Sequence, residues 1–210
     1  MHLRSRAALT AALTAITLFL LPISSLSQAA RVNAPAPDFT ATDSQGQSHA
    51  LDQYRGKYVV LEWHNQGCPF TRKHYVSGNM QALQKEWTAK GVAWFTVISS
   101  APGAQGYVTA TQENDYLAKM HAVPTAALLD PDGKLGRLYN AKTTPDMFII
   151  DPQGKLIYAG AIDNRPTPDV EDIQGADNYV SDALSSAMAG KPVANPYTRA
   201  YGCSVKYRDE

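Results

Sequence analysis

Cysteine is scarce in this chain: Cys68 and Cys203 are the only two among 210 residues. No second cysteine follows either at the two-residue spacing of a redox or zinc motif, and two cysteines allow a single intramolecular pairing. Excess charge is lacking too. Nineteen Lys and Arg balance nineteen Asp and Glu, so the composition points to no nucleic-acid partner. The chain shows no internal repeat at solenoid periods and no low-complexity tract. What remains is the composition of an ordinary globular protein, with room for one domain and an extended end.

A long apolar run, about Ala7 to Leu21, occurs near the start, behind Arg4 and Arg6 and ahead of Pro22 and the small residues of "SQAA". That order predicts a secretory signal peptide over residues 1–29, cleaved after Ala29 or Ala30; an uncleaved membrane anchor is the alternative. Processing removes two of the nineteen basic residues and no acidic one, leaving 17 against 19, a net charge of −2. No stable membrane span is then expected, and both cysteines meet an oxidising compartment, the periplasm, where a disulfide persists.

Three domains of sequence follow: the leader at 1–29, a folded unit at 30–190, and a Pro-broken tail at 191–210 that carries Cys203. Turn residues at Ser44 to Gly46 predict a hairpin. "KYVVLEW", Lys57 to Trp63, reads as a buried strand. Val76, Met80, Leu83 and Trp87 recur at helical spacing and predict one helix from about Pro69 to Lys90, ended by Gly91. Val92–Ser99 and "TAALLD" are further strands, separated by a helix at about Thr111 to His121. A short helix at Leu135 to Tyr139, a hairpin of Met147–Asp151 with Leu156–Ala161, and a helix at Tyr179–Met188 complete the order. Strands alternating with helices and a late hairpin predict an α/β fold, a mixed central sheet flanked by helices.

Pro69 suits the first position of a helix, which puts Cys68 at its N-cap. A thiolate there is favoured by unpaired N–H groups and the helix dipole, and Arg72 and Lys73 are expected to add positive charge; Thr71 is expected to hydrogen-bond the sulfur. His64 and His74 with Cys68 suggest a copper-binding module. Helix rise separates His74 from Cys68 by about 9 Å, and no metal or other cofactor is assigned. Trp63 and Glu62 are expected beside the pocket, Trp63 as an aromatic wall, with a core role for the strand explaining both as well.

A strand, a Cys-Pro loop at a helix mouth and a Thr-Pro before a hairpin resemble the thioredoxin superfamily. "APAPDFTATDSQGQSHALDQYRGKYVVLEWHNQGCP" is similar to its redoxin branch, the alkyl hydroperoxide reductase and thiol-specific antioxidant type. The likeness spans about residues 35–190, with a peroxiredoxin-like subgroup in view for the Cys-containing tail. It implies a thioredoxin-like fold with an N-terminal hairpin extension and a C-terminal tail. It places Cys68 at the first cysteine of the family's CxxC and Thr71 at the second, giving CxxT. It makes Pro145 the family's cis-proline, with Thr144 before it facing the substrate. The implied activity is thiol-disulfide oxidoreduction or peroxide reduction, with a protein or small-molecule disulfide, or a peroxide, as substrate and an unidentified thiol as electron donor. Cys203 is then a resolving thiol, a permanent structural partner of Cys68 in a non-catalytic peptide-binding or copper-binding module, or a cysteine that pairs with another chain.

Overall fold

The computed structural model describes residues 29–208. The predicted signal peptide lies, except for its last residue, outside them. Among the described residues, no helix is long and apolar enough to cross a membrane.

Alternation along the central strands divides the interior into two layers. In β3 (Val59–Trp63) and β4 (Ala93–Ile98), every residue is buried. Val59, Leu61, Trp63, Phe95 and Val97 face one layer, together with Phe148 and Tyr139. Val60, Trp94, Met147 and Ile149 face the other. Strands covered on both sides read as continuous apolar runs, which is why "KYVVLEW" shows no polar alternation beyond Glu62.

The main sheet has seven strands in the order β2-β1-β5-β4-β3-β7-β8. The hairpin β1 (Thr40–Asp43) and β2 (Ser48–Ala50) adds to one edge through β5 (Ala126–Leu129). β3, β4 and β5 run parallel, while β7 (Asp146–Ile150) and β8 (Leu156–Gly160) return antiparallel. Helices α1 (Pro69–Val76), α2 (Asn79–Ala89) and α5 (Tyr179–Met188) cover the second layer through Tyr75, Met80, Leu83, Trp87, Val180 and Leu184. Helix α3 (Ala110–Lys119) joins β4 to β5, and α4 (Lys134–Tyr139) closes the first layer with Leu135 and Tyr139. The mixed sheet flanked by helices matches the predicted class, and α5 has the predicted limits.

The single helix expected over Pro69 to Lys90 is two. Gly78 adopts φ 77°, a left-handed conformation that ends one helix and caps the next. The break rotates α1 relative to α2, so Val76 leaves the apolar stripe and stands 53% exposed while Met80, Leu83 and Trp87 stay buried.

The tail does not trail away. Its strand β9 (Cys203–Ser204) pairs antiparallel with β6 (Thr143–Thr144), forming a second, two-stranded sheet that brings the chain's end to the residues before Pro145.

Candidate functional site

The loop ahead of α1 is held by Asn65, whose side-chain oxygen accepts the Gly67 N–H at 2.9 Å while its carbonyl accepts the Cys68 N–H at 2.9 Å. This turn delivers Cys68 to the N-cap with extended backbone, and Pro69 begins the helix without needing a hydrogen-bond partner. The Cys68 sulfur then meets two groups from distant parts of the chain. It lies 3.0 Å from the Thr144 carbonyl, and Cys203 comes within hydrogen-bonding reach of it. Thr144 and Cys203 are direct partners across the β6–β9 ladder, and the Thr144–Pro145 bond is cis.

Burial pushes the Cys68 thiol up, but the Cys203 thiol, the Thr144 side chain and the backbone N–H groups of Thr71 and Cys203 outweigh it and leave Cys68 below its ordinary value. Cys203 moves the opposite way, pushed up to about 11 by burial and by the neighbouring Cys68. The two thiols are thus pushed in opposite directions, Cys68 down and Cys203 up, so that of the pair Cys68 is the one that ionises more readily. Both cysteines are unbonded, and Cys68 is 0% exposed.

Several expectations about this site change. Lys73 turns away from the sulfur: its ammonium is buried, donates to the Arg165 carbonyl at 2.7 Å and lies 3.9 Å from Asp163. Arg72 is exposed. The Thr71 hydroxyl is buried without a hydrogen-bond partner among the described residues, and it is this residue's N–H that serves the sulfur. Trp63 is core rather than a pocket wall, donating to Ser99 at 3.0 Å and packing on Tyr139 and Phe148. The period-two alternation of β3 puts it on the layer away from α1.

Glu62 lies on the opposite face from Trp63, wholly buried, where it accepts from Trp94 and Tyr75 at 2.8 Å each and from Gln84 at 3.3 Å. Burial raises it to about 7 despite those donors. Nearby Glu113 has neither carboxyl oxygen partnered among the described residues, and burial with the charge of Glu62 raises it to about 8. His64 sits 3.8 Å from Glu62, but burial lowers its imidazole to about 3, so the two do not form an ion pair. His74 instead bonds Asn79 and faces Asp163 and Tyr201. Among the described residues, no three His, Cys, Asp or Glu side chains are grouped to hold a metal ion.

Residues that sequence reasoning passed over hold the tail in place. Thr198 accepts the Ala161 N–H at 2.9 Å and bonds the Tyr158 hydroxyl at 2.6 Å. The Tyr201 hydroxyl donates to Asp163, with the Lys73 ammonium 5.3 Å from its ring. The Tyr207 hydroxyl donates to the Ala141 carbonyl at 2.7 Å. The recurring tyrosines of "NPYTRAYGCSVKY" are the available signal, since large amphipathic rings in a terminal segment imply that it docks.

Residues 32–159 match the AhpC/TSA family. The chain belongs to that family. As a member it is 26% identical over 129 residues to the thiol-disulfide oxidoreductase ResA of Geobacillus kaustophilus, covering 61% of this chain and 68% of the relative. It is 25% identical over 134 residues to the probable glutathione peroxidase 8-B of Xenopus laevis, covering 57% of this chain and spanning 62% of that protein's length. A solved structure, a hypothetical protein of Sinorhizobium meliloti 1021, superposes with a TM-score of 0.73 at 21% identity, covering 87% of this chain and 98% of that one. The likeness in fold thus reaches well beyond the stretch matched by the family.

Proposed function

We propose that this AhpC/TSA-family protein is an exported thiol-dependent oxidoreductase in which Cys68 is the nucleophile and Cys203 the resolving thiol. The observation that carries the reading is the pairing of a lowered Cys68, at a helix N-cap beside a cis-proline, with a raised Cys203 in hydrogen-bonding reach. A thiolate attacks and a protonated neighbour waits, which is the division of labour that exchange requires.

In the reaction, the Cys68 thiolate attacks one sulfur of a disulfide. A Cys68–substrate bond forms, the substrate bond breaks, and a thiolate leaves. Cys203 then gives up its single proton to the first departing thiolate and attacks Cys68, releasing the second half of the substrate as a thiolate that takes its proton from water. The protein dithiol is oxidised to a Cys68–Cys203 disulfide, the substrate disulfide is reduced to two thiols, and a thiol donor restores the protein by the reverse steps. Thr71 and Thr144 shape the sulfur's surroundings, and Pro145 fixes the backbone of Thr144 beside it. The names of the relatives, one for thiol-disulfide exchange and one for peroxide reduction, agree with a redox thiol. The leader over residues 1–29 accounts for export and for the oxidising compartment the cycle suits.

Equilibration in graded thiol buffers followed by mass mapping tests the reading. The expected product is a Cys68–Cys203 disulfide whose potential lies above about −300 mV, within reach of cellular thiols. A bond resistant to glutathione assigns the pair a structural role instead. Consumption of peroxide by wild type but not by Cys68→Ser extends the same chemistry to peroxide.

A further inference from the structure

An unpaired strand edge beside a reactive sulfur is the natural seat for an extended polypeptide, because its backbone groups are free to pair. Here that edge is taken. Thr143 pairs with Ser204 and Thr144 with Cys203, so β9 occupies the backbone groups next to Pro145. The fit is close: Gly202 has φ 131°, and a β-carbon there would stand 2.0 Å from the Thr144 carbonyl oxygen.

The segment is anchored on both sides of Cys203. Upstream, Tyr201 is bonded to Asp163 and packs on Phe70 with ring centroids 6.0 Å apart. Downstream, the Val205 N–H donates to the Lys142 carbonyl at 2.9 Å, the Ala101 N–H donates to the Lys206 carbonyl at 2.8 Å, and Tyr207 reaches Ala141. Releasing the edge means breaking all of these. A compact disulfide, with no extended backbone to pair, makes no demand on these hydrogen bonds. A cavity of about 610 Å³, lined by Thr143, Asp163, Arg199, Tyr201 and Gly202 but by neither cysteine, lies against this segment.

We infer that the tail is the specificity element of the site: by filling the backbone edge beside Cys68 with its own strand, it restricts the substrate to small-molecule disulfides and bars extended polypeptides. This rests on the assignment of Cys68 as nucleophile. The exchange is the one written above, with a low-molecular-weight disulfide as oxidant.

Two probes with one leaving group test it: N-acetylcysteine amide and a ten-residue unstructured peptide, each carrying its cysteine as a 2-pyridyl disulfide. Release of 2-thiopyridone by the reduced protein is followed by stopped-flow absorbance in wild type, Cys68→Ser, Tyr201→Ala and Gly202→Ala. Wild type is expected to react with the small probe at least about 30-fold faster than with the peptide, the cost of displacing two or more hydrogen bonds. In the two tail variants that ratio is expected to fall toward one, because the edge becomes available. Far-ultraviolet circular dichroism checks that each is folded, and either variant alone suffices. Comparable wild-type rates for the two probes, or a ratio unchanged in a folded tail variant, overturn the inference while leaving Cys68 as nucleophile. Release that persists undiminished in Cys68→Ser overturns both.

Discussion

Replacing Glu113 by Gln should make the fold more resistant to alkaline pH. Folded Glu113 keeps its proton to about 8 because it is buried with neither oxygen partnered, and because Glu62 lies close enough to add repulsion. Unfolded, it releases the proton near its ordinary 4.5. Between those values the native state binds more protons than the unfolded state, so stability falls as pH rises, at up to 1.36 kcal/mol per pH unit. The upper bound for the whole interval is about 5 kcal/mol, and relaxation with water entry reduces it to an expected ~2 kcal/mol. Gln has the same shape and no proton to lose. Its packing cost, with any hydrogen bond it makes to Tyr116 or Tyr75, enters as a constant offset. Urea unfolding of both proteins at pH 5, 6, 7, 8 and 9 reads the effect, including the change in Glu62 that follows from losing an ionisable neighbour. The stability of Glu113→Gln relative to wild type should climb by ~1 kcal/mol between pH 5 and 9, the rest of the effect lying below pH 5. A difference that stays flat with pH refutes the argument.

Two further outcomes follow from the site and the helix break. Cys203→Ala removes a donor to the Cys68 thiolate, so the midpoint of the iodoacetamide pH-rate curve for Cys68 should move up by about one pH unit; a midpoint that stays or falls contradicts the proposed pairing. Trp87→Ala should cost about 3–5 kcal/mol and Val76→Ala no more than about 0.5 kcal/mol in urea unfolding, because only the first opens a cavity; equal costs would restore the unbroken helix.

The elements legible in the sequence were those whose pattern is local. Strand β3, the β7–β8 hairpin and α5 carry apolar runs or helical spacing, and Pro69 after Cys68 marks the N-cap without reference to anything distant. The break at Gly78 was hidden because Met80, Leu83 and Trp87 keep their spacing across it, and a single glycine weighs little against a periodic stripe. Lys73 illustrates another limit. Its place in the sequence suggests charge beside Cys68, yet the partners that claim it, Asp163 and Arg165, arrive from a loop ninety residues on. Glu113 reads as an ordinary first-turn acid and gives no local sign of burial. The proximity of Cys203 to Cys68 was a question the sequence could frame, and only the β6–β9 pairing answers it.

About three-quarters of the described chain lies between the two thiols. A bond joining them would close most of the protein into one loop, and the chain-entropy relation gives such a closure about 5 kcal/mol of stabilisation. That is comparable to the entire stability of many domains. Under the proposed cycle the protein would alternate with each turnover between a molecule stapled from its tail to the head of α1 and one held only by its packing. Its lifetime against unfolding and proteolysis would then follow the redox state of its surroundings, tying the protein's persistence to the supply of the reductant it consumes.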